Sequence, residues 1–367
     1  MRYHHPLKQI LEQTRSHWDS VDFPADARSA FRKTLQCRTP VLGAEVFASE
    51  QEERVVYHTC KSRACPSCGH WATIRWQRER WAALPDVPYR GITFTMPDVL
   101  WRLFADNRPL ADALPAIAAS IIESWMIARH GLRTGVMAIL HTFNGRLEFN
   151  SHVHTMVFAG GLHASSGSWI SSVYCNNDQL MKLWRNAVIK LLREAHRAGL
   201  LRTEMTFDQM EGTLTQQAGR WWSIKVQSFK SKEHFLRYAG RYVRRPPIAQ
   251  RRITLVGKRR VTFWAKDKKL GRIVNLHCSP EEFVERWARH IPEHYRHAMR
   301  SFGLFAPRVL NQASAAIFVV IGQQSRPRPR SLRWADSLER QFGRDPLLDE
   351  TGNRMRWARR LAPQAPS

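Results

Sequence analysis

Acidic side chains are in short supply in this chain. Its 367 residues hold 31 Asp+Glu against 57 Lys+Arg, a formal net charge of +26, and the pI is near 10.8. That imbalance favours a polyanionic partner, because Lys and Arg that neutralise phosphates release condensed counterions. An anionic membrane would answer the same charge. However, no apolar run approaches the ~18–20 residues of a spanning helix, and residues 1–10 are polar, without a signal-peptide core. The expectation is a soluble intracellular protein with no membrane partner. Cysteine is also sparse: six residues are too few for a disulfide scaffold in a chain this long. There is no internal repeat, and no Gly-x-x-x-x-Gly-Lys-Ser/Thr phosphate loop, which argues against a fused helicase.

Hydrophobic content of 43% with 14 Trp supports a packed core, with one main domain and smaller appendages. Apolar spacing predicts helices over 5–35, 71–81, 111–128, 178–199, 232–244 and 280–289. Strands are expected at 89–96, 135–142, 149–158, 221–226, 252–256, 260–266 and 272–277. Asn144-Gly145 should turn the second and third strands into an antiparallel hairpin. Residues 323–367 are polar, proline-bearing and arginine-rich, and read as a partly flexible tail that contacts nucleic acid electrostatically.

Four of the cysteines cluster. In Cys60-Lys61-Ser62-Arg63-Ala64-Cys65-Pro66-Ser67-Cys68-Gly69-His70, the Cys65-x-x-Cys68 knuckle ends in glycine and directs two thiolates at one tetrahedral zinc ion. Cys60 is the third ligand and Cys37 the fourth, with His58 or His70 as substitutes. Closed coordination makes such a site structural.

In Asn150-Ser151-His152-Val153-His154 the two histidines project to one side of a strand and form half of a divalent-metal site, although an ordinary half-buried strand reads the same way. Tyr238 and Tyr242 lie four apart on the 232–244 helix among Arg237, Arg241, Arg244 and Arg245. That helix alone also fits an aromatic core stripe with a solvated basic back. Taken together with the charge, the two motifs suit metal-assisted attack of a tyrosine hydroxyl on a phosphodiester. The same arginines, with Lys258, Arg259 and Arg260 in a basic hairpin, are candidates for holding DNA phosphates.

Asn150-x-His152-Val153-His154 and Tyr238-x-x-x-Tyr242 resemble the HUH and two-tyrosine motifs of rolling-circle transposases of the insertion-sequence-91 family. Phe94-Thr95-Met96-Pro97, Leu140-His141-Thr142-Phe143 and a helix near 282–290 preceding Tyr295 and Gly303-Leu304 extend the likeness over roughly residues 35–307. The resemblance implies an α+β fold, in which an HUH endonuclease domain with a central antiparallel sheet flanked by helices accompanies a small N-terminal zinc-binding module. The expected division is 1–83 helical and zinc-binding, 84–305 catalytic, and 306–367 a basic C-terminal extension.

The resemblance also implies cleavage and transfer of single-stranded DNA at element ends, in the bacterial cytoplasm at the nucleoid. Mg²⁺ or Mn²⁺ would sit at His152 and His154, with Tyr238 and Tyr242 as nucleophiles. His141 on the paired strand is the preferred third ligand, with Glu148 and Gln227 as alternatives. Family members often carry a further Cys-x-x-Cys pair between the positions of Cys37 and Cys60. Here residues 47–52 read Phe-Ala-Ser-Glu-Gln-Glu, so Cys37 or a histidine must complete the zinc set. A replication initiator or relaxase with the same chemistry, and a non-catalytic zinc-containing nucleic-acid-binding protein, are the competing readings.

Overall fold

Short apolar stretches give the strands β1 (Tyr89–Phe94), β2 (Gly135–Phe143) and β3 (Phe149–Phe158), which are buried on both faces. β4 (Ile224–Phe229) and β5 (Met299–Gly303) complete one sheet in the order β5-β2-β3-β1-β4, with every pair antiparallel. The computed structural model describes residues 5–243, 246–267, 271–293, 296–297 and 299–365. Arg244, Arg245 and Tyr295 lie outside the described residues.

The two faces of the sheet do different work. Ile92, Phe94, Val136, Ala138, Val153 and Val157 share one buried cluster with α1 (Arg108–His130) and α2 (Asn177–Arg197). Trp184 of α2 tilts against Phe94 at 5.1 Å and donates its indole N–H to the Thr95 carbonyl at 2.8 Å. The opposite face carries Tyr89, Met137, Ile139, Met156 and Phe158, which pack with Phe235, Leu236, Tyr238 and Ala239 of a helix over 232–243. Side chains of adjacent strand residues thus separate a largely apolar core from the face that holds the histidines.

Several expectations are corrected. α1 is long and apolar enough, by length and composition, to cross a membrane, against the expectation that no such run exists. Its Ala111, Leu114, Ala118, Ala119, Ile122 and Met126 are buried within the sheet's own cluster, as in the core helix of a globular domain. The helix expected over 5–35 is three: Pro6–Gln13, Arg15–Ser20 and Ala25–Gln36. Thr14, whose hydroxyl bonds back to the Ile10 carbonyl, separates the first two, and Pro24 precedes the third. α3 (Phe207–Ala218) was not expected, since its surface is polar and Gly212 interrupts it; it opens on a Thr206–Gln209 capping box. The last helix of this set, α4 (Lys232–Val243), falls where it was expected.

At the hairpin turn the left-handed residue is Leu147 (φ 59), not Gly145. Asn144 organises that turn by accepting the N–H groups of Arg146 and Glu148 at 2.8 and 3.1 Å. The 323–367 stretch is not a loose tail. It supplies the helix Trp334–Phe342 and the strand Arg356–Leu361, which pairs antiparallel with Ala44–Ala48. Ala44–Ala48 and its partner Glu53–Tyr57 also went unread. Arginines at three of the six positions of 356–361 mask a strand in any reading based on hydropathy.

Contacts group the chain into two compact units, neither contiguous in sequence. One comprises residues 1–75, 244–293 and 329–367; the other comprises 76–243 and 294–328 and holds the five-stranded sheet with α1–α4. In the first unit Phe31 stacks on Trp287 at 5.4 Å, edge-on to Trp18 at 5.6 Å.

Lys232 fastens the first turn of α4 within its unit. Its buried ammonium donates to the Trp81 and Leu84 carbonyls at 3.0 and 2.8 Å and pairs with Asp86 at 3.0 Å. Lys232→Met should cost roughly 2–3 kcal/mol, because the two carbonyls are left without that donor. Urea unfolding of the two proteins measures the difference, and an unchanged midpoint would contradict the anchoring role.

Candidate active site and zinc cluster

Sheet register decides which side chains meet on the helix-covered face. His152 on β3 lies opposite His141 on β2, and His154 lies opposite Ile139 on β2 and Thr93 on β1. One ligand nitrogen from each of His141, His152 and His154 falls within 4.8 Å of the others. The ring centroids are 4.9 to 5.6 Å apart. His141 and His154 are buried, and His152 is half-buried. Three imidazoles so placed could serve as a donor set for a divalent cation.

Each ring is oriented by a neighbour. His152 donates Nδ1–H to the Asn150 carbonyl at 2.8 Å, with the Asn150 side-chain oxygen at 3.1 Å, which presents Nε2 as its lone-pair nitrogen. Asn150 of the Asn-x-His motif therefore sets the tautomer of the histidine that follows it. His154 Nδ1 is 3.0 Å from the Thr93 hydroxyl. His141 donates Nε2–H to the Tyr242 carbonyl at 2.9 Å, tying β2 to the last turn of α4.

α4 brings both tyrosines to this face. Tyr242 stacks on His154 with centroids 3.8 Å apart, and Tyr238 meets Tyr242 edge-on at 4.9 Å. The Tyr238 ring lies over Gly91 of β1, where a Cβ would sit 2.6 Å from Cε1. Only glycine leaves room for that approach. Arg241 places its guanidinium 4.9 Å from the Tyr238 ring centre and 6.0 Å from that of Tyr242. Burial pushes the Tyr238 phenol up to about 12, and the nearby Tyr242 adds to the rise; the Thr93 hydrogen bond and the Arg241 charge pull the other way.

The remaining candidates are placed as follows. Glu148 accepts from the Asn144 amide at 2.8 Å in the exposed turn, outside the histidine cluster. Gln227 pairs with Gly91 on the strand beyond β1. Arg237 is exposed and ion-paired with Glu233 at 2.7 Å. Lys258, Arg259 and Arg260 are exposed in the turn between Ile253–Val256 and Val261–Lys266, in the other unit. Thr93 and Gly91 were missed by the sequence reading. Their only signal was two small residues alternating with apolar ones along 90–94.

The cysteines form the second cluster. Sulfurs of Cys37, Cys60, Cys65 and Cys68 all lie within 4.8 Å of one another. Measured separations are 3.7 Å for Cys37–Cys68, 3.6 Å for Cys60–Cys68 and 3.8 Å for Cys37–Cys65. A tetrahedral ion with Zn–S bonds of about 2.3 Å requires sulfurs about 3.8 Å apart, whereas a disulfide needs about 2.05 Å, so the spacing fits zinc. His58 is engaged elsewhere, by Glu45 at 3.2 Å and the Leu42 carbonyl at 2.9 Å, and His70 is exposed beside Trp71. Hydrogen bonds from the other three thiols hold Cys37 far below an ordinary thiol, while sharing with Cys37 first, and then burial, pushes Cys60 up. A bound dication would let all four thiols ionise.

Two outcomes test this geometry. Native mass spectrometry should find one zinc per chain, absent in Cys65→Ser, and chelation should unfold the residue 1–75 region, since structural zinc contributes on the order of 10 kcal/mol. A zinc-free chain with an unchanged melting curve would contradict it. For Tyr238, a folded pKa of about 12 exceeds the unfolded value of about 10. The unfolded chain therefore loses its proton first, so this stabilisation is intact below pH ~10 and is lost as pH rises through ~12. Tyr238→Phe should flatten the alkaline decline in stability.

Comparison with known proteins finds transposases and a transposase zinc-binding domain. The family described as "Putative transposase" matches residues 135–313, and the one described as "Transposase zinc-binding domain" matches residues 7–96. The "Transposase for insertion sequence element IS801" of Pseudomonas savastanoi pv. phaseolicola is 31% identical over 291 residues, covering 76% of this chain and 70% of that protein. The "Putative transposase y4qJ" of Sinorhizobium fredii (strain NBRC 101917 / NGR234) is 27% identical over 305 residues, 78% of this chain and 76% of that one. No solved structure matches the chain. With an α+β HUH-type sheet, a four-cysteine zinc module and these relatives, the chain belongs to the insertion-sequence-91 family of transposases.

Proposed function

We propose that this transposase works by a rolling-circle mechanism, cutting single-stranded DNA at element ends by tyrosine attack and transferring the strand to a target. The observation that carries this reading is the stacking of Tyr242 on His154 at 3.8 Å, beside three histidine nitrogens within 4.8 Å of one another. His141, His152 and His154 would hold Mg²⁺ or Mn²⁺, and an all-imidazole set suits the softer Mn²⁺ better. An ion bound there polarises the scissile phosphate and stabilises charge that develops in the transition state.

The chain's own residues do the rest. A phenol oxygen of Tyr242 or Tyr238 attacks phosphorus in line; the tyrosine O–P bond forms, the phosphorus–sugar oxygen bond breaks, and the phenolic proton ends on the departing sugar hydroxyl. Reversal by the hydroxyl of another strand rejoins DNA without an external energy source. Two tyrosines one helical turn apart allow two successive transfers at one metal site. Arg241, above both rings, favours the phenolate and holds phosphate oxygens; Arg237, Arg244, Arg245, Lys258, Arg259 and Arg260 would add phosphate contacts. The catalytic work is assigned to the region within 84–305, the zinc module within 1–83 serves as a structural element, and 306–367 adds basic charge. Action on DNA of the host places the protein in the bacterial cytoplasm, at the nucleoid.

Purified protein, Mn²⁺ and a single-stranded oligonucleotide bearing an element end should yield a covalent protein–DNA adduct. Tyr238→Phe with Tyr242→Phe should abolish it. His152→Ala with His154→Ala should lower the cleavage rate by at least about 10²-fold while sparing most DNA binding, which is spread over many Lys and Arg. An undiminished adduct in the double tyrosine variant would refute the reading, and binding that collapses together with cleavage would make the histidines structural.

A further inference from the structure

β4 ends the catalytic sheet: among the described residues it pairs with β1 alone. Its Ile224 and Val226 pack in the buried cluster with α1 and α2, so alternation turns Lys225 to the histidine side. In register Lys225 stands beside Thr93 and Thr93 beside His154, whose Nδ1 is 3.0 Å from the Thr93 hydroxyl. One polar row thus runs from the histidine cluster to the sheet edge, about 10 Å over two strand spacings. Lys225 is exposed and, unlike Arg237 with its Glu233 partner, has no ion-pair partner among the described residues. A lysine on an edge strand also deters strand addition, but this one ends the row that starts at the histidines.

Just before β4 the chain presents Trp221, which is 64% exposed, whereas its neighbour Trp222 is 1% exposed and donates its indole N–H to the Gln217 carbonyl at 3.1 Å. The backbone on both sides of Trp221 is held. Arg185 of α2 donates to the Arg220 carbonyl at 2.9 Å, and the Ser223 carbonyl accepts from the Thr95 N–H at 3.3 Å and the Thr95 hydroxyl at 2.6 Å. Single exposed hydrophobic residues are ordinary on a protein surface. A large indole on a pinned backbone, between the exposed cations Arg220 and Lys225, is a stacking platform for a base. In a duplex the faces of each base are covered by its neighbours, so such a platform selects unpaired strands.

We infer that the β4 edge is the track by which single-stranded DNA reaches the site: Trp221 stacks on an unpaired base, and Lys225 holds a backbone phosphate beside the histidine cluster. The inference deepens, and rests on, the single-stranded-DNA reading above. Charge complementarity selects this occupant, since a chain of net charge +26 places an unpaired lysine and an exposed indole at the edge of the sheet that carries the histidines. Both residues belong to the same compact unit as the histidines and tyrosines.

The test reads binding in a chain that cannot cut: the full-length Tyr238→Phe, Tyr242→Phe protein without added Mn²⁺, titrated into a fluorescently labelled single-stranded element end or its duplex. Trp221→Ala should weaken single-strand binding roughly tenfold, the scale of one lost base stack, and leave duplex binding unchanged; Trp221→Phe should restore most of the loss. Lys225→Gln should lower the slope of log K against log salt for the single strand by about 0.7, the loss of one phosphate contact. Both positions are exposed, so the melting temperatures should not move, and a fall in either would make the role structural and overturn the inference. Unchanged single-strand affinity in Trp221→Ala, equal weakening on single strand and duplex, or an unchanged salt slope in Lys225→Gln would each overturn it as well, leaving the edge to a protein strand or to solvent. Failure of the tyrosine chemistry is distinguishable, because it shows as a wild-type chain that forms no adduct, a separate measurement from this one.

Discussion

Everything at the candidate site depends on how closely α4 can approach the sheet. The contact is set at Gly91, where the Tyr238 ring occupies the space a β-carbon would need. With Tyr238 down on β1, the helical repeat carries Tyr242 one turn further, onto His154. The last turn of α4 then offers the Tyr242 carbonyl to His141, and its first turn is held by Lys232 and Asp86. A helix pinned at both ends and fitted over a glycine holds two phenols in place against three imidazoles. Precise placement of this kind is what phosphoryl transfer asks of a protein, since little of its covalent chemistry comes from the scaffold.

The close approach has an electrostatic cost that the site partly returns. Burial against Phe229 and β1 favours the neutral form of Tyr238, the opposite of what a nucleophile needs. Thr93 and Arg241 work against that effect. Tyr242 is less enclosed and lies flat on a histidine. Two chemically identical residues, four apart on one helix, thus occupy unlike environments. The cysteine cluster applies the same physics differently: four sulfurs at tetrahedral spacing would repel one another as thiolates, and a dication at their centre would let them ionise together.

Much of this was legible from local periodicity. A period of two placed His152 and His154 on one face, a helical repeat paired Tyr238 with Tyr242, and the Cys65-x-x-Cys68 knuckle announced a zinc site. What escaped notice was written in weaker or contrary signals. The Arg356–Leu361 strand is too charged to read as one, yet it pairs with Ala44–Ala48, some 300 residues away in sequence, and its Arg359 meets Glu53 at 2.7 Å. α3 announces itself only through a capping box, and α1 is apolar enough to pass for a membrane span until its partners in the core are known.

The sequence alone determined which chemistry was available: imidazoles in alternation, phenols in helical register, thiolates in a knuckle and an excess of positive charge. These follow from backbone periods of a few residues and from composition, and so need no knowledge of distant contacts. Tertiary structure decided which of those groups meet. Strand order and register put His141 opposite His152, and Thr93 opposite His154. They also put Cys37 beside a knuckle almost thirty residues downstream. Pairings across long stretches of chain are fixed by packing and loop closure, and no short window of sequence contains them.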